Sequence, residues 1–373
     1  MRLSVVIRNL DWVSAAAMLL LVFIGLAMVL SAAYTEDTIS PLFIRQTIAL
    51  LVGVAIFLFI AKVPYHVWQG YAPSLYAGGV ALLVLVTIVG AAIRGTVSRL
   101  AIFGFQIQPS EYMKVGFIIF LAWFMARYHK LRVPQLLISA AIVGIPIALI
   151  IREPDFGMAA LLITTYLATL VVVGLPWRYL IVISLIGTVA ALGTWQWLLY
   201  DYQKARIQTF LTPESDPLSS GYNVTQSIIA FGSGRVFGRG LGHGPQSQLK
   251  FLPERHTDFI LASIGEELGF VGVTTVLILY AIILWRIIKL TEVTQDRFGQ
   301  ILLLMIFIAL LTSLSVSAGM NMGLLPVTGI PLPLVSYGGS SLITTMILLG
   351  LVQSVHLHSH FVRKGAPDIS VFT

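Results

Sequence analysis

Apolar residues along this chain gather in long runs, and each run is bounded by proline, glycine or charge. A helix that crosses the hydrocarbon core of a bilayer needs roughly 17–25 predominantly apolar residues. Runs of that order predict helices near 12–32, 45–61, 74–92, 113–128, 135–151, 158–175, 179–199, 262–286, 298–318 and 338–358. They recur from one end to the other and leave no segment for a separate soluble domain. Residues 1–373 therefore read as one all-α polytopic membrane domain of about ten transmembrane helices, with a long loop between helices 7 and 8. The first run follows Arg2 and Arg8 and ends in Ser31-Ala32-Ala33, which imitates a signal peptide. A signal peptide's apolar core spans about 7–15 residues, so this longer run is read as a retained helix.

Composition agrees with the pattern. Hydrophobic residues make up 57% and charged residues only 10%, too little charge to cover a water-soluble globule of this size. The absence of cysteine excludes disulfides, thiol nucleophiles and Cys-ligated metals. An even number of spans puts both termini on one side. Arg2, Arg8, Lys62, Arg127, Lys130, Arg132, Arg178, Arg286, Lys289, Arg297, Arg363 and Lys364 fall on that side, against Arg45, Arg94, Arg99, Lys114 and Arg152 in the short loops opposite. The positive-inside rule then makes the termini cytoplasmic. The pI near 9.6 follows from this topology and is not read as a nucleic-acid footprint.

On the outer side one loop, residues 200–260, is several times longer than any other, and long ordered loops usually carry function. Within it Val224, Ile228 and Phe231 stand at i, i+4 and i+7, which predicts a short amphipathic helix lying on the outer membrane surface. The glycine-rich stretch 232–244 follows, carrying Arg235 and Arg239.

The densest polar cluster is Glu254-Arg255-His256-Thr257-Asp258, just before an apolar helix that holds Glu266 and Glu267. Ionisable groups at a membrane boundary are paired or line a wet cavity, and they point by default to a functional site. A plainer reading has Asp258 fixing the loop through a nearby arginine. The last outer loop, residues 321–341, is uncharged but holds prolines 326, 331 and 333 and glycines 323, 329, 338 and 339. It cannot be one continuous helix, and irregular backbone at membrane depth needs protein or water to satisfy it. On the same side, Glu111 and Lys114 share a helix face if a helix starts there, and Pro109-Ser110 and Pro154-Asp155 are both reasonable helix openings.

Three patterns carry little. Gly238-Arg-Gly-Leu-Gly-His-Gly244 imitates a dinucleotide loop without a preceding strand. His356, His358 and His360 lie two apart, which scatters them around a helix. Asn223-Val-Thr225 is a formal glycosylation sequon.

Taken together, these segments resemble the SEDS family (shape, elongation, division and sporulation). The resemblance spans nearly the whole chain and rests on Gln108-Pro-Ser-Glu111 with Lys114, Pro154-Asp155-Phe-Gly157, Gly221-Tyr222, Gly232-Ser-Gly234, Pro253-Glu-Arg-His-Thr-Asp258, Glu266-Glu-Leu-Gly269 and Ser336-Tyr-Gly-Gly-Ser-Ser341. Chain length, short tails and the Asp11-Trp12 opening look more like the elongation branch than the division branch. The chain departs from the family pattern at Arg94-Gly-Thr-Val-Ser-Arg-Leu100, where Arg99 alone is retained, and at Glu153, where the family often has Gln.

The resemblance implies a peptidoglycan glycosyltransferase of the bacterial inner membrane that polymerises lipid II into β-1,4-linked strands during elongation and shape maintenance. It implies Asp258 as the catalytic aspartate. An α-linked diphosphate donor and a β-linked product require one inversion, for which a single general base suffices. The leaving diphosphate calls for positive charge, with Lys114, Arg206, Arg235, Arg239 and Lys250 as candidates and a divalent cation, Mg or Mn, as a possible aid. Glu111, Glu254, Ser336 and Ser340 complete the expected substrate-binding set. Expected partners are a single-pass class B penicillin-binding protein and other membrane proteins of the elongation complex, and no nucleic acid. The rival reading is a flippase for lipid II or another polar lipid, which calls for mid-span charges and inverted repeats; no internal repeat strong enough to argue that symmetry stands out here.

Overall fold

The computed structural model describes residues 3–33, 41–89, 91–93, 96–102, 105–128, 131–153, 155–193, 220–249, 251–252 and 254–365, together with 196, 204 and 210. A short α1 (Leu3–Arg8) precedes α2 (Trp12–Ala33), α3 (Pro41–Lys62), a short α4 (Tyr65–Gly70) and α5 (Ala72–Val89). Three strands follow, β1 (Ala91–Ile93), β2 (Thr96–Ile102) and β3 (Phe105–Ile107). Then come α6 (Pro109–Ala126), α7 (Val133–Arg152), α8 (Phe156–Val172) and α9 (Trp177–Gly193). The last five are α10 (Ser220–Ser233), α11 (Pro245–Gln248), α12 (Ile260–Val293), α13 (Arg297–Asn321) and α14 (Gly339–Gly365).

Each of the ten predicted runs coincides with a helix over its described residues, except that the third gives way to β1 at Ala91. Six of them, α2, α3, α7, α12, α13 and α14, are long and apolar enough to cross a bilayer, and α5 and α8 are shorter apolar helices. The protein is an all-α polytopic membrane protein. Consecutive spans joined by short connections run antiparallel, so the described parts of the connections after α5, α7 and α13 gather at the end of the bundle opposite the chain termini, its far side, where Arg255 of the segment before α12 also meets the end of α2.

Two local features differ from the expectation. The helix expected from 113 begins at Pro109, because Gln108 occupies its N-cap position and proline suits the first turn. The far-side connection between α5 and α6 is not plain loop but an antiparallel sheet of order β1-β2-β3, with Leu100 opposite Ile107 and Ile102 opposite Phe105. Its strands are only three to seven residues long, too short to announce themselves by alternation.

The bundle has a centre and a rim. Of the membrane-length window of α14, 83% is buried, against 22% for α7. α14 packs along α3, where Gly53 lies against Met346 and Gly350 against Phe57 and Ile60. Small residues permit the close backbone approach on which packing in lipid depends. At the near side Arg286 of α12 grips Asp11 at the start of α2 with two bonds of 2.8 Å.

α12 breaks at Gly269, whose φ of 68° and ψ of −163° suit glycine alone. The break frees backbone groups, and the glycine-rich stretch takes them up. Arg239 and Gly240 amides donate to the Glu266 and Glu267 carbonyls (3.0 and 2.9 Å), while Phe270 and Val271 amides donate to the Arg235 and Val236 carbonyls (2.9 and 3.1 Å). The two carboxylates extend the seam. Glu266 accepts from the Gln246 and Ser247 amides (2.8 and 2.9 Å), and Glu267 accepts from Ser31 Oγ and the Gly242 amide. The stretch that imitates a dinucleotide loop is therefore a splint for a broken helix.

The amphipathic helix of the long loop is α10. Its small residues Ser227 and Ala230 are buried, as is Gly234 just past its end, against the Gly265 carbonyl of α12, and Ile228 and Ile229 stay exposed. The connection between α13 and α14, 322–338, re-enters the bundle: Leu332, Leu334 and Val335 are buried, and the Val335 carbonyl touches Gly25 in the middle of α2. Gly25 lies eight residues from the end of α2, about 12 Å below the far side at 1.5 Å per residue. Protein groups satisfy the irregular backbone at that depth. The Tyr280 hydroxyl donates to the Pro333 carbonyl, and Gln46 donates to the Ser336 carbonyl (3.3 Å) and accepts from the Gly338 amide (3.1 Å).

Candidate active site

The re-entrant loop and the head of α12 meet at the segment 254–259. Glu254 adopts a left-handed conformation (φ 51°), and its carbonyl accepts from the Thr257 and Phe259 amides, 3.1 and 3.3 Å. Thr257 Oγ1 donates to the Glu254 carboxylate at 3.0 Å. This local turn is then gripped from outside through three consecutive carbonyls. The Tyr337 amide donates to the carbonyl of His256 (2.8 Å), Ser336 Oγ to that of Thr257 (2.7 Å) and Asn321 Nδ2 to that of Asp258 (2.9 Å). Arg255 anchors the turn to α2 by donating to the Ala32 carbonyl at 2.5 Å.

The main chain of Asp258 is thus held on a rigid turn while its side chain stays half-buried. A Cβ placed on Gly329 of the re-entrant loop would stand 3.8 Å from Asp258 Oδ2, and Gly329 sits at φ 75°. The loop passes the carboxylate at a glycine, which has no side chain to cover it. A carboxylate there can take a proton from a hydroxyl brought within hydrogen-bond reach.

The other predicted residues sort by what they touch. Glu111 and Lys114 are 2% and 4% exposed and bond to each other at 2.6 Å, with Thr344 Oγ1 donating to Glu111 at 2.9 Å. They share a helix face as expected, but the pair is satisfied inside the bundle. Ser336 Oγ accepts from the Leu332 amide while donating to Thr257. Ser340 Oγ donates to the Gln106 carbonyl and accepts from the Gln108 amide, 3.2 and 3.1 Å. Both serines therefore shape the site by stitching its walls. Glu254 stands partly exposed beside Asp258. Arg239 and Arg235 are exposed on the splint, about two and three helical turns along α12 from the turn, and Arg206 and Lys250 lie outside the described residues. Among the described residues no three acidic or histidine side chains converge as a cage for a divalent cation.

Sequence reasoning missed Asn321 and Gln46, whose roles exist only across helices. It noted Asp155 as a helix opening, and Asp155 does cap α8 by accepting from the Met158 amide (3.0 Å); it also accepts from Gln108 Nε2 (2.8 Å) and Ser110 Oγ (3.1 Å). Those bonds join the heads of α6 and α8 beside the re-entrant loop, where Gly157 meets the Thr328 carbonyl.

Glu153, at the end of α7, is 1% exposed, and neither carboxylate oxygen has a hydrogen-bond partner among the described residues. Burial, with the charge of Asp155 adding to it, pushes its carboxyl up from 4.5 to about 8. The folded protein therefore holds a proton that the unfolded chain releases above 4.5. Stability falls as pH rises from 4.5 to 8, by at most about 1.4 kcal/mol per pH unit, and levels off beyond. Glu153→Gln is expected to flatten that slope in thermal unfolding between pH 5 and 8, and an unchanged slope would remove Glu153 as its source.

Such a re-entrant loop over a carboxylate on a clamped turn, inside a bundle of apolar helices, defines a polytopic membrane protein with a far-side polar site. The model for the FtsW, RodA and SpoVE cell cycle proteins matches residues 11–361, and the chain belongs to that family, known collectively as SEDS. Among its relatives is peptidoglycan glycosyltransferase MrdB of Escherichia coli K12, 39% identical over 324 residues, 86% of this chain and 87% of MrdB. Two solved structures share the fold. One is a chain of a peptidoglycan synthase complex from work on coordinated polymerization and crosslinking (TM-score 0.80, 30% identity, 94% of this chain and 98% of that one). The other is the rod shape determining protein RodA of Thermus thermophilus (TM-score 0.71, 29% identity, with the same coverage).

Proposed function

We propose that this protein is a peptidoglycan glycosyltransferase that polymerises lipid II into β-1,4-linked glycan during cell elongation, with Asp258 as general base. Membership in a family whose MrdB branch carries that activity supports the reaction. The observation that carries the residue assignment is the clamp on three successive carbonyls, which leaves the Asp258 carboxylate half-buried beside Gly329.

In the reaction the acceptor 4-hydroxyl oxygen attacks the anomeric carbon of the donor sugar. Its proton passes to the Asp258 carboxylate, the new C–O bond forms with inversion, and the bond to the diphosphate breaks. The polyprenyl diphosphate leaves with its electron pair and needs no acid. Arg235 and Arg239, exposed at the break in α12, are the described cations for it, with Arg206 and Lys250 of the same long loop as further candidates. The Lys114 ammonium is tied to Glu111 and contributes through the fold. The far side is the outer face of the cytoplasmic membrane and both termini are cytoplasmic, in keeping with the twelve basic residues of the near side. A polyprenyl tail stays in the outer leaflet while its head reaches Asp258.

A flippase would place its charges near mid-span. Here the buried helix charges lie near the far-side ends: Glu111 and Lys114 in the first two turns of α6, Glu266 and Glu267 before the break in α12. The deciding experiment supplies purified protein and a class B penicillin-binding protein with lipid II in detergent. Growth of glycan strands is expected. Transport of lipid II in vesicles with no polymer formed would sink the proposal.

A further inference from the structure

We infer that Asn321 positions the general base from a neighbouring helix. It is the last residue of α13 and is fully buried. Its side-chain amide is wholly engaged: Nδ2 donates to the carbonyls of Asp258 (2.9 Å) and Ser317 (2.7 Å), and Oδ1 accepts from the Ala262 amide (2.9 Å). Its main-chain carbonyl accepts from Ser227 Oγ of α10 at 2.8 Å.

The need for this arrangement lies at the head of α12. The first amides of a helix have no partner within it and usually receive one from an N-cap side chain. Here the N-cap position is Phe259, which makes no side-chain cap bond. Asn321 supplies the missing acceptor from α13. Because the same amide also holds the Asp258 carbonyl, it fixes the backbone between residues 258 and 262 as one unit. That unit sets the direction in which Asp258 leaves the main chain. Tyr337 and Ser336 hold the preceding two carbonyls, and Asn321 holds the carbonyl of residue 258.

Proton abstraction tolerates little misplacement, and an error near 1 Å costs on the order of 10²-fold in rate. The hydrogen bonds of the Asn321 side chain go to main-chain groups, so loosening it should slow chemistry more than it weakens lipid binding.

This inference rests on Asp258 being the base, and the test keeps the two claims apart. Asn321→Ala, Asn321→Asp, Ser227→Ala and Asp258→Asn are compared with wild type in the lipid II polymerisation assay, with kcat and KM measured separately and thermal unfolding recorded. Asn321→Asp has the same shape and keeps an acceptor for the Ala262 amide, so it remains informative if the alanine variant fails to fold. Both Asn321 variants are expected to lower kcat by roughly 10- to 100-fold with KM within about twofold. Ser227→Ala, which removes only the bond to the Asn321 carbonyl, is expected to keep wild-type kcat. A folded Asn321 variant with normal kcat overturns the inference while Asp258→Asn stays inactive. Equal loss of kcat in Ser227→Ala overturns it too, since packing alone then explains the effect. Wild-type rates in Asp258→Asn overturn the base assignment and the inference together.

Discussion

Asp258→Asn is expected to leave a folded, membrane-inserted protein that no longer polymerises lipid II. The structure separates the two halves of that statement. What fixes the turn is its main chain, held at the carbonyls of residues 256, 257 and 258 by Tyr337, Ser336 and Asn321. Asparagine matches aspartate in shape and leaves those three acceptors in place. What it removes is a carboxylate able to take the proton of the attacking hydroxyl, a contribution of roughly 10²–10⁴ in rate. At 1.4 kcal/mol per factor of ten, that is about 3–5 kcal/mol of barrier, so strands should fall below detection in an ordinary time course. The check is polymer length on gels beside a thermal unfolding curve. Full activity in the variant, with an unchanged unfolding midpoint, would take the assignment away from Asp258.

The helices were legible because apolar length is a strong signal in lipid, where every backbone group must be satisfied within the span. The segment carrying Asp258 was legible for the converse reason, that charge is costly at a membrane boundary. Legibility failed where two residues cancel each other. Glu111 and Lys114 made the head of α6 look like an outer loop, yet the helix begins before them because the pair buries as a unit. It failed again where one polar side chain serves another element. Asn321 and Gln46 look unremarkable in sequence, and their partners lie 63 and 290 or more positions away. The glycine-rich stretch was recognised as irregular, but its task became visible only with the break at Gly269 that it splints.

Lys114→Met should be the most destabilising single change considered, and its logic is that of a buried pair broken on one side. Lys114 and Glu111 lie on consecutive turns of α6, 2.6 Å apart, in a helix most of whose residues are buried. Removing the ammonium leaves the Glu111 carboxylate, 2% exposed, with Thr344 Oγ1 as its hydrogen-bond donor among the described residues, and Thr344 also donates to the Ser341 carbonyl. An uncompensated buried charge of this kind costs about 3–5 kcal/mol, whereas replacing both partners by neutral groups of similar volume is often neutral or favourable. The double variant Glu111→Gln with Lys114→Met should therefore recover most of what the single one loses. Thermal unfolding of the three proteins in one detergent measures this directly. Because α14 carries both Thr344 and Ser340, and Ser340 bonds the strand leading into α6, the loss should also reach the polymerisation rate. If the double variant is as stable as wild type yet inactive, the pair serves the reaction as well as the fold. If the single variant is already as stable as wild type, the pair carries no such charge penalty, and α6 is held at its head by the bonds of Gln108 and Ser110 to Asp155 instead.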